Sequence, residues 1–283
     1  MRSLPMLKVL VLVPGVVVST LLTCMVGALL PPLAGLLVFV AGLTVALVLA
    51  TGRLEAAGLR LMYQARPLQE WEAAALAPTV SLLCSQGIGP PAVTLYVRES
   101  EGMATWSAGR QSVIVSSGLV RTLHQRQLTV EEAAGLLAHA VGRLHIVRPR
   151  FDLAVEFWTL PWQILRGICT AIGHAFAWLP LVEFAWKIRF VVATIAVVQS
   201  VVDGRAPAGV VIAVFVGLTY LTPGWRRAWE VRVEAAADQF VCDHALSGGL
   251  AAYLGRGPAA PAVLARIHRM SGPTQRPTLA VVR

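Results

Sequence analysis

Two long apolar stretches open the chain, LKVLVLVPGVVVSTLLTCMVGALL over residues 7–30 and a second over residues 33–50. Lys8 is their only charged residue, and Pro31 and Pro32 stand between them. A helix rises about 1.5 Å per residue and the hydrocarbon of a bilayer is roughly 30 Å thick, so the pattern predicts a transmembrane hairpin over residues 1–52. A cleaved signal peptide would show a short apolar core and a small-residue cleavage site. Here the second run follows at once, so the hairpin is expected to stay as an anchor. Arg2 and Lys8 flank it on one side and Arg53, Arg60 and Arg66 on the other, with none at the Pro31-Pro32 turn. The positive-inside rule then expects both ends in the cytoplasm.

Residues 53–150 are more polar and mix two periodicities. Residues 69–84 read as a helix broken by Pro90-Pro91, while TLYV (94–97) and SVIVS (112–116) carry the β-branched residues of strands. A short helix is expected over residues 118–123. Thr129 and Glu132 then form a capping box, Thr at the N-cap and Glu at N3, before the run AAGLLAHAVGRLHIV. That helix is expected to end at Pro149, and Glu131 and Glu132 complement the dipole at its start.

The later half is less regular. Residues 151–186 hold eight of the chain's aromatics among scattered charges, which suits a helix at the membrane interface with Trp158, Trp162, Trp178 and Trp186 as anchors. Apolar runs at 190–202 and 208–221, split by DGRAP, predict a second membrane hairpin within 151–222. Residues 223–283 return to the cytoplasm: a segment over 227–254 that is helical as far as the Gly248-Gly249 break, a short amphipathic piece over 261–270, and a loose tail. The expected fold class is a mainly α membrane protein with a small β element (α+β) and about four transmembrane helices.

Composition agrees with this pattern. Hydrophobic residues make up 56% and charged residues 14% of the chain, far from the soluble average. The net charge of +9 suits contact with anionic lipid headgroups, and no basic stripe interleaved with aromatics points to nucleic acid. Cys24, Cys84, Cys169 and Cys242 are widely spaced, which predicts neither a disulfide framework nor a cysteine-rich zinc site.

The chemistry centres on HAVGR, residues 139–143. In the zinc-peptidase motif HExxH, two histidines one turn apart bind the metal and the glutamate activates water. Here His139 keeps the first ligand position, Ala140 stands at the base position, and Arg143 stands at the second ligand position. The order of segments resembles the HtpX heat-shock membrane peptidase and CAAX prenyl protease family of zinc metallopeptidases, over most of residues 1–245. ATWSAG (104–109) followed by VIVSSGLVRTL resembles that family's NAFATG-like stretch, strand and SxGL turn. EAAGLLAHAVGR (132–143) resembles the metal-binding helix, and VEAAAD (233–238) resembles REyxAD, with Glu234 in the third ligand position and Asp238 in the supporting one. The tail SGPTQRPTLAVV resembles a worn form of the family's terminus.

The resemblance implies a cytoplasmic peptidase-like domain in two halves, 53–150 and 223–283, built around the HAVGR helix. It also implies zinc as cofactor if the protein is active. The departures weigh against activity. A guanidinium has no lone pair for a metal, and alanine cannot move a proton. His145 lies about 600° around the helix from His139, and His124, His174, His244 and His268 are distant in sequence. Without a metal, a buried Glu234 would need another cation, and a bidentate Arg143–Glu234 ion pair is the expected substitute. The strand Val113, Ile114, Val115, Ser116 is expected to be an edge that takes up extended peptides. The function expected is that of a pseudopeptidase of a bacterial cell membrane, in contact with the bilayer and binding peptides or membrane proteins without cleavage. The alternative is an active zinc endopeptidase using His139, Glu234 and an irregular ligand.

Overall fold

A computed structural model describes residues 3–88, 93–147, 151–175 and 180–271. The described chain is mainly helical with one four-stranded mixed sheet, and it divides into two compact units, residues 1–47 with 154–232, and residues 48–153 with 233–283.

The first unit contains α1 (Ser3–Ala28) and most of α2 (Pro32–Thr51). Both are long and apolar enough to cross a membrane, and large apolar side chains such as Leu21, Leu36 and Leu47 lie exposed along them. It also holds α8 (Leu160–Ala175), α9 (Pro180–Val202) and most of α7 (Asp152–Trp158). The apolar part of α9, Phe190–Val202, is shorter than a full span. Trp158 is drawn into packing within this unit: its indole N–H donates to Thr20 Oγ1 at 2.9 Å, and its ring meets Phe39 edge-on. Ser19, fully buried, accepts from the Trp162 backbone N–H.

One long helix, α10 (Ala206–Asp243), merges the apolar run at 208–221 with the segment that carries Glu234 and Asp238. It does not stop at Gly248-Gly249 as the sequence suggests. Ala245 takes the left-handed conformation, φ 56°, and Leu246 N–H closes back on Val241 O, which ends α10 earlier. The two glycines fall instead in α11 (Ser247–Gly255). There Gly249 lies so close to the Glu131 carbonyl that any side chain would collide with backbone.

The second unit is built on the sheet. Strands β1 (Ala65–Pro67), β2 (Thr94–Arg98), β3 (Thr105–Ala108) and β4 (Ser112–Ser116) lie in the order β1-β2-β4-β3. β2 pairs parallel with β4, and the other two pairs are antiparallel. The expectation that Val113, Ile114, Val115 and Ser116 form an edge is therefore corrected. They are an interior strand, and every residue of β4 is buried. β4 is paired with β2 on one side and β3 on the other, and SVIVS, apolar on both faces, suits a strand that is also covered on both. Val113 and Val115 point into the larger core with Val97, Leu119 and Leu137, while Ile114 joins Leu59, Ala108 and Leu153 on the opposite face. The edge beyond β4 is β3.

The larger core is formed by α4 (Glu70–Ser85), α5 (Ser117–His124), α6 (Val130–Val147) and α11. Short helices α3 (Glu55–Tyr63) and α12 (Pro261–Met270) complete the unit. The expected capping box of α6 is present: Thr129 N–H donates to Glu132 and Thr129 Oγ1 accepts from Glu132 N–H. The expected helix ends at Pro90-Pro91 and Pro149 and most of the tail lie outside the described residues.

Candidate functional site

His139 projects from the middle of α6, whose apolar faces are fixed by Leu136, Leu137, Val141 and Leu144 in the core. Asp238 lies on α10 between the buried Ala237 and Val241. These two side chains meet: His139 Nδ1 is 3.2 Å from Asp238 Oδ1. The third member is Arg266, on α12. Its Nε donates to Asp238 Oδ2 at 2.7 Å and its Nη2 to Asp238 Oδ1 at 2.6 Å, a bidentate fork. The same Nη2 lies 3.3 Å from Nδ1 and 3.5 Å from Nε2 of His139. A proton on Nδ1 is positioned to be donated to Asp238, while Arg266 Nη2, nearly equidistant from the two ring nitrogens, lies against the imidazole and off the Nε2 lone-pair direction.

All three side chains are largely sheltered from solvent, which sets the electrostatics. Burial pushes the Asp238 carboxyl up. Hydrogen bonds from His139 and Arg266 and the Arg266 charge outweigh it and hold the group below the usual carboxylate range. Asp238 is thus an anion kept inside the protein by a guanidinium.

The other family positions behave differently. Glu234 is exposed on α10, and no hydrogen bond or ion pair joins it to Arg143 among the described residues. The expected Arg143–Glu234 bridge is therefore corrected: solvent reaches Glu234 and removes the need for a buried partner, while the arginine beside His139 comes from α12. Ala140 is buried in the core with no polar atom to offer. His145 and His244 each turn a ring nitrogen toward their own helix, at Val141 O and Phe240 O, and flank the Phe240 ring. His124 rests edge-on against Trp71, and His268 is exposed on α12.

A catalytic zinc would take three protein donors and leave one position for water. Among the described residues the clustered donors are His139 and Asp238, and both carboxylate oxygens of Asp238 are engaged by Arg266. Arg143 and Ala140 supply none. The described residues as folded do not fit a zinc ion.

Sequence reading missed Arg266 because it stands far along the chain from His139, in a helix notable only for being amphipathic. It also missed a second fork beside the site. Arg256, following α11, donates Nε and Nη2 to Glu132 at 2.7 Å each and Nη1 to Gln127 O. This fastens α11 to the capped start of α6. Tyr253 adds a bond from its hydroxyl to Met103 O, in the loop before β3. No protein-family model matches the chain, and no curated protein matches it.

Proposed function

We propose that the chain is a membrane-anchored pseudopeptidase of the HtpX-like type, one that binds peptides or membrane-protein segments and does not cleave them. The observation that carries this reading is the Arg266 fork on Asp238 beside His139. It puts a permanent cation where the family resemblance expects a metal centre, next to positions that have lost the general base and a ligand. The apolar helices α1 and α2 anchor the chain, and α9 with the first part of α10 adds a second hairpin, for about four spans. Both termini and the sheet-bearing unit then face the cytoplasm of a bacterial cell.

The binding edge is β3. Ser116 N–H donates to Ala104 O, and alternation along an antiparallel pair turns the N–H and C=O groups of Thr105 and Ser107 away from β4. Such an edge accepts an extended peptide by strand addition. Thr105 also hydrogen-bonds through its hydroxyl to Leu136 O of α6, so the edge runs beside the His139 helix.

A second reading, an active zinc endopeptidase, is favoured by one feature. A carboxylate on the far nitrogen of a histidine, as Asp238 is on His139, is the usual support of a metal ligand. Metal content and casein cleavage by the purified full chain separate the two readings. Absence of stoichiometric zinc in wild type, with uptake by an Ala140→Glu, Arg143→His, Arg266→Ala variant, is the expected result. Stoichiometric zinc with chelator-sensitive cleavage by wild type would overturn the proposal.

A further inference from the structure

The C-terminal end of α2 and the tip of the β3–β4 hairpin interlock, and together they leave a basic pocket. Gly52, with φ 82°, ends α2, and the Arg110 side chain packs against it while donating Nη1 to Thr51 O at 3.0 Å. In exchange, Gly109, with φ 61°, receives the Glu55 side chain on the space a Cβ would fill. Glu55 Oε1 accepts from Arg110 N–H at 3.0 Å and Ser112 Oγ at 2.6 Å, with Gln111 N–H at 3.4 Å. The result is an open cavity of about 350 Å³ lined by Thr51, Gly52, Arg53, Glu55, Arg110 and Gln111.

Three observations bear on what this cavity takes. First, Arg53, Arg60 and Arg110 are exposed and have no carboxylate partner among the described residues, whereas Arg66, Arg256 and Arg266 are all forked onto carboxylates. Glu55 is the one anion lining the pocket, and it is held by hairpin backbone N–H groups and Ser112. Second, Leu54 and Leu61 are 42% and 78% exposed, each directly after one of these arginines, where a wholly aqueous surface would favour polar residues. Third, the pocket begins where a 20-residue apolar helix stops. Leucines at headgroup depth with arginines beside them form an interfacial pattern.

We infer that this juxtamembrane pocket binds the phosphate of an anionic phospholipid, with Arg53 and Arg110 on the headgroup, Arg60 adding charge, and Leu54 and Leu61 set into the interface. Arg110 is already oriented by its bond to Thr51 O, so lipid binding has to order only Arg53. The inference rests on the membrane reading of α2 proposed above.

The full chain is first tested for extraction from membranes by alkaline carbonate, then purified in detergent and offered phosphatidylglycerol or phosphatidylcholine. Lipid retention is read by native mass spectrometry. The expected result is a carbonate-resistant protein that retains phosphatidylglycerol preferentially, with roughly fivefold weaker retention in Arg53→Gln and again in Arg60→Gln. Neither residue's side chain has a hydrogen-bond or ion-pair partner among the described residues, and Arg53→Lys restores most of the preference. Release by carbonate overturns the membrane reading and the lipid site together. Carbonate resistance with equal retention of the two lipids, or unchanged retention in Arg53→Gln, overturns the lipid site alone. Displacement of bound lipid by inorganic phosphate also overturns it, by assigning the pocket to a free anion.

Discussion

Arg266 and Asp238 form a two-point ion pair, Nε to Oδ2 at 2.7 Å and Nη2 to Oδ1 at 2.6 Å, between a ten-residue helix late in the chain and the long helix α10. Arg266→Ala would strand the Asp238 carboxylate in a sheltered site, at an expected cost of about 3 kcal/mol, read as a lower midpoint of thermal unfolding. Arg266→Lys keeps the charge but loses the fork, so its loss is smaller. In a double-mutant cycle, Asp238→Asn added to Arg266→Ala costs less than the two single changes summed.

Removing the cation is also expected to decide metal uptake. An Ala140→Glu, Arg143→His variant that keeps Arg266 should bind zinc more weakly than the same variant with Arg266→Ala. Isothermal titration with zinc checks this order.

Ser107→Pro tests the edge. The Ser107 N–H faces away from β4, so proline there removes an outward donor without breaking a bond to β4. Stability is expected to change by about 1 kcal/mol or less, while binding of an extended peptide, followed by fluorescence anisotropy, is lost. Val113→Pro in β4 should instead unfold the sheet-bearing unit.

Acid should weaken the second unit through two other carboxylates. Burial pushes Glu72 and Glu132 up. Against it, Arg66 and the Gln69 N–H lower Glu72, and the Thr129 N–H and Arg256 lower Glu132, so both groups fall below the ordinary glutamate range. A carboxyl held lower in the folded than in the unfolded chain adds stability that is complete above its unfolded value, about 4.3, and fades as pH drops through the folded value. Unfolding followed from pH 7 down to pH 3 should show most of the loss below about pH 4.5. Glu132→Gln should flatten part of that slope.

What the sequence made legible was local. The apolar runs of α1 and α2 appear as helices long enough to span, the Thr129–Glu132 box starts α6, and both strand segments named from β-branched residues are strands. Strand position was not legible: SVIVS is apolar on both faces, which signals that both faces are covered, but the equally interior β2 reads TLYVR with an exposed Thr94, so facial patterning does not give a strand's place in the sheet order. Arg266 and Arg256 had no local signal either. Their partners are fixed by the tertiary packing of α11 on α6 and of α12 on α11, and an arginine on an amphipathic helix reads the same whether it meets water or a carboxylate. The early end of α10 was hidden for a related reason, since the left-handed residue there is Ala245, where glycine is the usual marker.

The forks on Glu72 and Glu132 carry a consequence for how the second unit opens. Each glutamate caps the first turn of its own helix and, with the same carboxylate, grips an arginine from elsewhere, Arg66 for α4 and Arg256 for α6. Ordinary helices fray from their ends independently of the rest of the protein. Here fraying the first turn of α6 would release the strap that follows α11, and fraying α4 would release β1. The starts of these helices are therefore expected to exchange their amide hydrogens only in openings that also free distant segments, which makes the most local events in this unit cooperative ones.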